Sequence, residues 1–224
     1  MNRMRSLLPL LLALAATALA GCATTQSGPS EWDGLVRRPH PRLNAVFVKP
    51  DVEIGAFRSV MLDPVEINFA EAWDPSRGTR RVSSRLNASD IAAIKAGLAE
   101  LFRETFRAEL ERGGYQLVDE AGPETLRVIP AIVDLYIAAP DTMSTAGRTR
   151  TYTTNSGRMT LVVELRDSVT GEILARAIDG RSGRGTGQWN ITNNVTNTAD
   201  ARRAISVWAT ALRQALEELY ERAK

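Results

Sequence analysis

The sequence predicts an α+β fold, a single domain in which a mainly antiparallel sheet carries two long helices packed on one face. Two long segments repeat apolar residues every three or four positions, which is the period of a helix with one buried side. Other segments alternate apolar and polar residues, as half-buried strands do. Most of these strands follow one another along the chain and can pair as neighbours, so the predicted order is β-α-β-β-β-β-α.

Residues 1–21 are interpreted as an export signal. Arg3 and Arg5 supply a basic start, and the run from Leu7 to Ala20 contains no charged residue. This run fits the hydrophobic region of a signal peptide and is shorter than the roughly 20 residues that a membrane-spanning helix needs. Removal of the signal takes away two arginines and no acid, so the formal charge of +2 belongs to the signal and the rest of the chain is neutral.

The segment Leu19-Ala20-Gly21-Cys22 resembles the lipobox of bacterial lipoproteins, with cleavage expected between Gly21 and Cys22. Cys22 is the single cysteine of the chain, and its thiol would receive a diacylglyceryl group and become the new N-terminus. Two or more acyl chains together hold a protein stably at a membrane. The alternative is an ordinary secretory signal followed by an incidental cysteine. Ala23, in place of Asp, indicates the periplasmic face of the outer membrane by resemblance to Gram-negative sorting.

Residues 22–31 are interpreted as the lipidated cysteine and a flexible tether, and residues 32–224 as the α+β lipoprotein domain. The tether is small and polar and holds no residue able to enter a core. Residues 32–42 are rich in Pro and Arg and are predicted to lie over the domain without regular structure. Trp32 and Leu35 are the expected contacts of this segment with the core.

Regular structure is predicted to begin near Arg58. Residues 59–62 form an apolar run that ends at Asp63-Pro64, because proline cannot donate to a strand ladder. A surface loop without apolar period follows. Asn87 or Ser89 then caps a long helix that Gly113-Gly114 ends, and residues 115–118 form a short strand.

The strongest strand pattern covers residues 126–139, with odd-numbered residues from Ile129 to Ile137 on one face and even-numbered residues on the other. Pro130 predicts a sheet edge or a bulge. Residues 159–167 and 173–179 flank a tight turn and form a hairpin. A Gly- and Asn-rich loop to Thr198 precedes the final helix, with Asp200 in its first turn. The buried stripe of this helix is Ile205, Trp208, Leu212, Ala215, Leu216 and Leu219.

Composition excludes several classes of function. One cysteine and one histidine form neither an intramolecular disulfide nor a Cys/His zinc cage, so no metal or cofactor is predicted. The near balance of 28 basic and 26 acidic residues argues against a nucleic-acid partner. His40 lies between two prolines with no nucleophile motif nearby and is interpreted as a surface residue.

Paired carboxylates are the remaining route to catalysis, because a glycosidase needs only two. The sharpest pair is Asp134 with Glu164, since both interrupt apolar strands that could be neighbours. A structural role is favoured, with Glu164 on the solvent face and Asp134 paired with Arg166 or Arg176, so no catalytic residue is assigned and no enzyme activity is expected. The other candidate pairs are Asp63 with Glu66 and Glu71 with Asp74.

Two polar segments could form a basic rim. Residues 147–158 contain three arginines, one tyrosine and no acid, and the Gly-rich residues 180–187 add two arginines but lack the ending of a phosphate-binding loop. Such a rim could bind phosphate, carboxylate or glycan groups or a protein partner. The alternative is two solvated loops. The candidate rim consists of Arg148, Arg150, Tyr152, Arg158, Arg181 and Arg184.

Several core and turn motifs resemble one family of bacterial lipoproteins, the domain-of-unknown-function family numbered thirty-three thirteen. The resemblance extends over nearly all of the chain from Trp32 to the last helix. It implies a periplasmic, lipid-anchored domain and transfers no catalytic residue. The motifs are Trp32-Asp-Gly-Leu35, Ser59-Val-Met-Leu-Asp-Pro64, Leu126-Arg-Val128 with Ala131-Ile-Val-Asp-Leu-Tyr136 and Ala139-Pro-Asp141, and Leu161-Val-Val-Glu-Leu-Arg-Asp-Ser-Val-Thr-Gly171 with Leu174-Ala-Arg176.

The sequence therefore predicts a lipid-anchored envelope protein whose domain is a non-enzymatic module that binds another envelope protein. Two alternatives stay open. One is a carrier for a lipid or glycan component of the envelope, and the other is a carboxylate-based hydrolase. The membrane contact is expected through the N-terminal lipid, and the pattern leaves the oligomeric state open.

Replacing Cys22 tests the lipid anchor. The Cys22→Ala variant is expected to leave the precursor without its diacylglyceryl group, because no other thiol exists in the chain. Mass spectrometry of the N-terminal peptide measures this directly. An unmodified mature N-terminus in the wild-type protein would refute the lipobox.

Overall fold

A computed structural model describes residues 29–71, 87–137, 151–153, 157–182, 190–192 and 194–222. Its helices are α1 (Ala88–Arg112) and α2 (Asn194–Arg222), and a short 3-10 helix covers Ile54–Ala56. The strands are β1 (Glu31–Trp32), β2 (Leu35–Arg38), β3 (Ala45–Val48), β4 (Ser59–Leu62), β5 (Glu66–Phe69), β6 (Gln116–Leu117), β7 (Thr125–Ile137), β8 (Thr151–Thr153), β9 (Gly157–Asp167), β10 (Ile173–Ser182) and β11 (Asn190–Thr192).

Nine of these strands form one mixed sheet in the order β1-β2-β3-β10-β9-β7-β4-β6, with β5 also paired to β7. The pairs from β1 through to β7 are antiparallel, and β4, β5 and β6 pair in parallel. The other two strands, β8 and β11, pair with each other. The predicted α+β class is confirmed, and the predicted order persists as β4, α1, β6, β7, β9, β10 and α2.

Both helices pack on the same face of the large sheet. Residues of β7 and β9 that lie opposite each other on this face are buried, for example Val128 with Leu165 and Ile132 with Leu161. They form one core cluster with side chains from α1 and α2. Most of the predicted stripe of the final helix is confirmed as core, since Ile205, Trp208, Leu212 and Leu216 are all buried.

The ends of α1 agree with the predicted capping residues. The Asn87 side chain accepts a hydrogen bond from the Asp90 N–H at 2.9 Å, and Asp90 accepts one from the Asn87 N–H at 3.0 Å, which is a reciprocal capping box. Gly114 follows the helix with a φ of +79°, a conformation that glycine adopts without strain. The final helix begins earlier than predicted, since α2 starts at Asn194 and Asp200 lies beyond its first turn.

The N-terminal segment is more regular than predicted. Residues 32–42 were expected to lack regular structure, but β1 and β2 form a hairpin whose second strand pairs with β3, and β3 pairs with β10. We call residues 31–38 the N-terminal hairpin. Leu35 and Phe47 are each only 2% exposed, so burial of alternate side chains outweighs the unfavourable Pro and Arg content nearby.

Pro130 lies in the interior of β7 rather than at an edge or a bulge of the sheet. The Asp63 N–H donates to the Val128 carbonyl at 3.0 Å, and the next bond of a parallel ladder would need an N–H at position 130. Pairing with β4 ends there, and β5 resumes it from Ala131 onwards. The proline therefore divides the neighbouring chain into two short strands.

A bulge in β7 changes which side chains face the core. The register with β9 shifts between Val133 and Tyr136, and Asp134 has a φ of +53°, which aspartate tolerates better than most residues. The extra residue turns Leu135 into the core and Tyr136 to the other face. The predicted alternation is therefore wrong beyond Val133.

Asp179 joins α2 to the sheet. Its buried carboxylate accepts hydrogen bonds from Trp208 Nε1 at 2.8 Å and from the Asn44 N–H at 3.0 Å, and also from Arg181 Nε. Asp179 is only 2% exposed, so its charge is balanced within the fold. This contact connects β10, the turn before β3 and the middle of α2.

Removing the Asp179 carboxylate is expected to destabilise the fold. The Asp179→Ala variant leaves the buried Trp208 N–H and the Asn44 N–H without their acceptor, which costs about 2–4 kcal/mol of unfolding free energy. Urea unfolding followed by circular dichroism measures the loss. The exposed Asp134 gives a control, since Asp134→Asn keeps a residue that accepts positive φ and should stay within about 0.5 kcal/mol of wild type. Equal effects of both substitutions would contradict the assignment.

Candidate functional site

The candidate site is the face of the sheet that is turned away from α1 and α2. We call it the open face. Its middle is apolar, and its residues lie opposite one another across the central strands, so that Ala131 is level with Val162 and Val162 with Ile178. The apolar residues are half-buried and lie outside the core cluster. They are Ile129, Ala131 and Val133 of β7, Val162 of β9, Ile178 of β10 and Ala45 of β3.

A charged row crosses the open face beside this apolar area. Arg176 of β10 lies opposite Glu164 of β9, and its Nε and Nη2 donate to Glu164 Oε1 at 2.9 and 2.6 Å. Arg166 donates from Nε and Nη2 to Glu164 Oε2 at 3.0 and 2.6 Å. The carboxylate thus accepts four hydrogen bonds from two guanidinium groups, which is a strong, fixed geometry.

The N-terminal hairpin covers the guanidinium of Arg176. The Trp32 ring lies 3.9 Å from the Arg176 Cζ, and Arg176 Nη1 donates to Asp33 Oδ2 at 3.0 Å. Trp32 also meets Phe47 edge to face, with 5.7 Å between ring centroids. The Arg176 side chain is consequently only 7% exposed, although both of its acidic partners reach the surface. Stacking on an indole and two ion pairs together make burial of this arginine favourable.

The local sequence explains the turn of this hairpin. Asp33 and Gly34 have φ values of +52° and +76°, the left-handed conformations that a two-residue hairpin turn requires. An Asp-Gly pair between apolar residues is a recognised signal for such a turn. The sequence contains this Asp-Gly signal, but the Pro-rich and Arg-rich residues that follow it favoured an irregular segment.

The environment of Glu164 favours the ionised carboxylate. Burial raises the pKa of the Glu164 carboxyl, but the hydrogen bonds and charges of Arg166 and Arg176 outweigh burial and leave the pKa below its usual value. A carboxyl that acts as a general acid needs a raised pKa. Glu164 therefore has the properties of a structural anion.

The structure does not bring Asp134 and Glu164 together. Glu164 lies opposite Ile129, five residues before Asp134 on β7, and five residues of strand span about 16 Å. Asp134 is exposed at the bulge, and the partners predicted for it, Arg166 and Arg176, bind Glu164 instead. Asp63 of the second candidate pair binds Arg127 through both carboxylate oxygens. The third pair includes Asp74, which lies outside the described residues.

The predicted basic rim is only partly within the described residues. Arg158 of β9 lies opposite Ser182 of β10, so the two polar segments meet at this point. Arg181 is bound to the buried Asp179 on the helix side of the sheet, whereas Arg158 stacks over Tyr136, 4.8 Å from its ring centroid, on the open face. Tyr152 is described through its backbone alone, and Arg148, Arg150 and Arg184 lie outside the described residues, as do Gly21 and Cys22. The rim stays a prediction.

His40 organises the turn between β2 and β3. Its Nδ1 accepts hydrogen bonds from the N–H groups of Arg42 and Leu43, both at 3.1 Å. Burial lowers the pKa of His40, and the charge of Arg42 adds to this, while Glu218 and Asp179 act in the opposite direction. The neutral ring that accepts these bonds is thereby favoured, and its Nδ1 is already occupied by the turn.

Two negative observations apply to the described part of the chain. No group of three or more acidic, histidine or cysteine side chains in it could hold a metal ion. Neither α1 nor α2 contains an apolar stretch long enough to cross a bilayer.

Sequence analysis missed the two polar contacts that organise the sheet. Asp179 and Trp208 are 29 residues apart, and Asp33 and Arg176 are 143 residues apart. Both contacts depend on strand register, which a single sequence does not reveal. The available signal was the presence of Arg176 and Asp179 within an otherwise apolar strand, since charged residues that are buried require partners.

Comparison with known proteins gives a family and several similar folds. The profile of the family described as "Protein of unknown function (DUF3313)" matches residues 25–212. No curated protein matches the chain. Among solved structures, the chain is similar to the PelC dodecamer from Paraburkholderia phytofirmans, with 14% identity, 80% of this chain and 96% of that chain covered, and a TM-score of 0.36.

Two further structures show the same level of similarity. One is a minor lipoprotein from Acinetobacter baumannii, with 10% identity, 72% of this chain and 94% of that chain covered, and a TM-score of 0.33. The other is a DUF4136 family protein from Bacteroides thetaiotaomicron, with 10% identity, 84% of this chain and 98% of that chain covered, and a TM-score of 0.33. Similarity at this distance carries no conclusion about function.

The stabilising effect of Glu164 is expected to depend on pH. Because its pKa is lower in the folded chain than in the unfolded chain, this stabilisation is complete above the unfolded value of about 4.3 and is lost as the pH falls through the folded value. Glu164→Gln should reduce the unfolding free energy by about 1–2 kcal/mol at pH 7, and the difference from wild type should shrink below about pH 4.3. Urea unfolding at several pH values measures both effects.

A matched control uses the same substitution on an exposed ion pair. Glu172 pairs with Lys49 at the surface, and Glu172→Gln should change the unfolding free energy by less than about 0.5 kcal/mol at pH 7. A Glu164→Gln effect that is equally small, or that stays constant down to pH 3, would contradict the proposed role of the network.

Proposed function

The chain belongs to the DUF3313 family of proteins of unknown function, and we propose that it is a lipid-anchored protein of the bacterial envelope whose domain binds another envelope protein. Membership confirms the resemblance predicted from the core and turn motifs. In this proposal the lipid on Cys22 is inserted in the periplasmic leaflet of the outer membrane. The open face is the surface that binds the partner.

The observation that carries the proposal is Cys22 itself. It is the only cysteine in 224 residues, and it follows an uncharged apolar run, residues 7–20, that we interpret as an export signal, with the small residues Ala20 and Gly21 before it. Ser30 is the eighth residue after Cys22, and its carbonyl accepts a hydrogen bond from the Arg37 N–H at 2.9 Å. A lipid on Cys22 would therefore connect through a short tether to an edge strand of the sheet.

The composition of the open face supports a protein partner. Protein interfaces combine an apolar middle with a polar border in which arginine and aromatic residues are common. Here the apolar residues around Val162 have Trp32 and Arg176 on one side and Tyr136 and Arg158 on the other. Arg166 is the more exposed arginine of this network and is held by two hydrogen bonds to Glu164, which reduces the entropy that binding would cost.

Residue-specific crosslinking in intact cells tests the proposal. A photoreactive amino acid is placed at Val162 on the open face and, as a control, at Val169, which is 64% exposed in the turn between β9 and β10. The Val162 probe is expected to form a reproducible adduct with one envelope protein, and the Val169 probe is not. Ile129→Glu adds a charge beside the probe without touching the core and should reduce the adduct at least about tenfold.

The outcomes separate the alternatives. Equal adducts from both probes, or none from Val162, would overturn the partner role of the open face. An adduct of only a few hundred daltons, detected by mass spectrometry, would support the carrier function instead. Density-gradient fractionation of the wild type and the Cys22→Ala variant tests the membrane assignment, since only the wild type should sediment with outer membranes.

A further inference from the structure

The strand register shows where the tether enters the domain. β1 is antiparallel to β2, with Glu31 opposite Val36 and Ser30 hydrogen-bonded to Arg37. The chain therefore arrives from the end of the sheet where β2 leads into the turn at residues 39–44. We call this the tether end. The end of β10 and the start of β9 lie there too, because Ala45 is opposite Ile178.

Within the part of the chain that the structure describes, the tether end carries several arginine side chains that have no acidic partner. Arg37 donates from Nη2 to the Asn44 carbonyl at 3.1 Å and stacks over Phe47. Arg38 and Arg42 are exposed, and no carboxylate in the described part of the chain pairs with either guanidinium. Arg158 stacks on Tyr136. Four guanidinium groups in the described part of this end therefore have no paired carboxylate, namely those of Arg37, Arg38, Arg42 and Arg158. Arg181 differs from them, since its partner is Asp179.

Among the described residues, the exposed acids near this end are Glu31, Asp134 and Glu71, which follows β5. Glu218 of α2 acts electrostatically on His40. None of these acids pairs with the guanidinium groups of the turn at residues 39–44 or of the strand before it. The opposite end of the same strands is more acidic, although it also carries Lys49, which pairs with Glu172, and Arg58. Around the turns that precede β4 and β7 and the turn between β9 and β10, the exposed or half-exposed acids are Asp51, Glu53, Asp119, Glu120, Glu124, Asp167 and Glu172.

The turn that carries these arginines is held in one conformation. Pro39 and Pro41 restrict the backbone, and His40 Nδ1 accepts two backbone N–H groups. Arg42 is fixed further, because its carbonyl accepts a hydrogen bond from Arg181 Nη2. Arginines on a rigid turn lose little entropy when they bind a charged surface.

We propose that the tether end docks on anionic phospholipid headgroups of the membrane that holds the lipid on Cys22, and so sets the orientation of the domain. This inference rests on the proposed lipid anchor. Eight residues span at most about 28 Å and as a relaxed coil about 16 Å, so the anchor keeps the arginines within reach of the headgroups. Because the lipid already holds the domain at the membrane, the arginines meet the headgroups at a high effective concentration, and even a weak electrostatic attraction then keeps the tether end docked.

The experiment uses the lipidated full mature protein in vesicles of phosphatidylcholine, with or without phosphatidylglycerol. A Pro39→Cys variant carries an environment-sensitive fluorophore, because the thioether of Cys22 leaves a single free thiol. With phosphatidylglycerol, the fluorophore is expected to be protected from a neutral water-soluble quencher. A Val169→Cys label at the opposite end should stay accessible. A Pro41→Cys label repeats the measurement should the first variant fold poorly.

Charge removal tests the cause of the protection. Each arginine near an anionic surface changes the ratio of docked to undocked protein about fivefold, so the combined substitution Arg37→Gln, Arg38→Gln and Arg42→Gln should lower it roughly a hundredfold. Protection should also disappear in about 1 M salt, where the Debye length is about 3 Å. The paired substitution Lys49→Gln and Arg58→Gln removes two cationic side chains away from the tether end and should have no effect.

The results distinguish this inference from the proposal on which it depends. If the mass of the N-terminal peptide shows no acyl group, both the proposed lipid anchor and the proposed docking are contradicted. An acylated protein that stays on vesicles while the Pro39→Cys label is quenched equally with and without phosphatidylglycerol would overturn the docking alone. Protection in native membranes but not in phosphatidylglycerol vesicles would also overturn it, and would assign the arginines to an acidic protein instead.

Discussion

The structure depends on one constraint, which is that a strand has two faces and the helices cover only one of them. In β7, β9 and β10 the residues that face α1 and α2 are almost entirely apolar and buried. The buried exception is Asp179, which is neutralised by its neighbour Arg181 on the same face and hydrogen-bonded to Trp208. In the described residues, no helix covers the other face. This face carries half-buried apolar residues and one charge network, in which Glu164 binds both Arg166 and Arg176. The open face is therefore partly apolar and partly charged.

Burial of Arg176 connects the N-terminus to the sheet. A guanidinium under an indole ring needs acceptors on several sides, and Glu164 and Asp33 supply them from opposite directions. Asp33 reaches this position because Asp33-Gly34 forms the turn of the N-terminal hairpin. The segment that follows the tether is therefore part of the folded sheet. Force or restraint applied through a lipid on Cys22 would act directly on the edge that covers Arg176.

The sequence predicts features that depend on local spacing and residue type. It does not predict contacts that depend on the register between strands. The stripe on α2 and the cap at Asn87 follow from spacing and residue type, and both are confirmed. The side of the sheet on which Leu135 lies could not be predicted, because the bulge at Asp134 is visible only in the pairing with β9. The partner of Glu164 was missed for the same reason. The open face was not predicted as a site: Glu164 was considered only as one of a pair of catalytic carboxylates, and Arg176 only as a partner of Asp134.

Strand direction also connects the proposed roles of the two surfaces. The chain enters the domain beside Arg37, so in the proposed docking the end of the sheet with Arg38 and Arg42 faces the membrane and the more acidic end points away from it. Repulsion between anionic headgroups and the acids at the far end favours the same orientation as attraction at the tether end. The strands then stand upright, and the open face around Val162 is directed sideways, parallel to the bilayer plane. A partner in the same envelope can reach it without displacing the membrane contact.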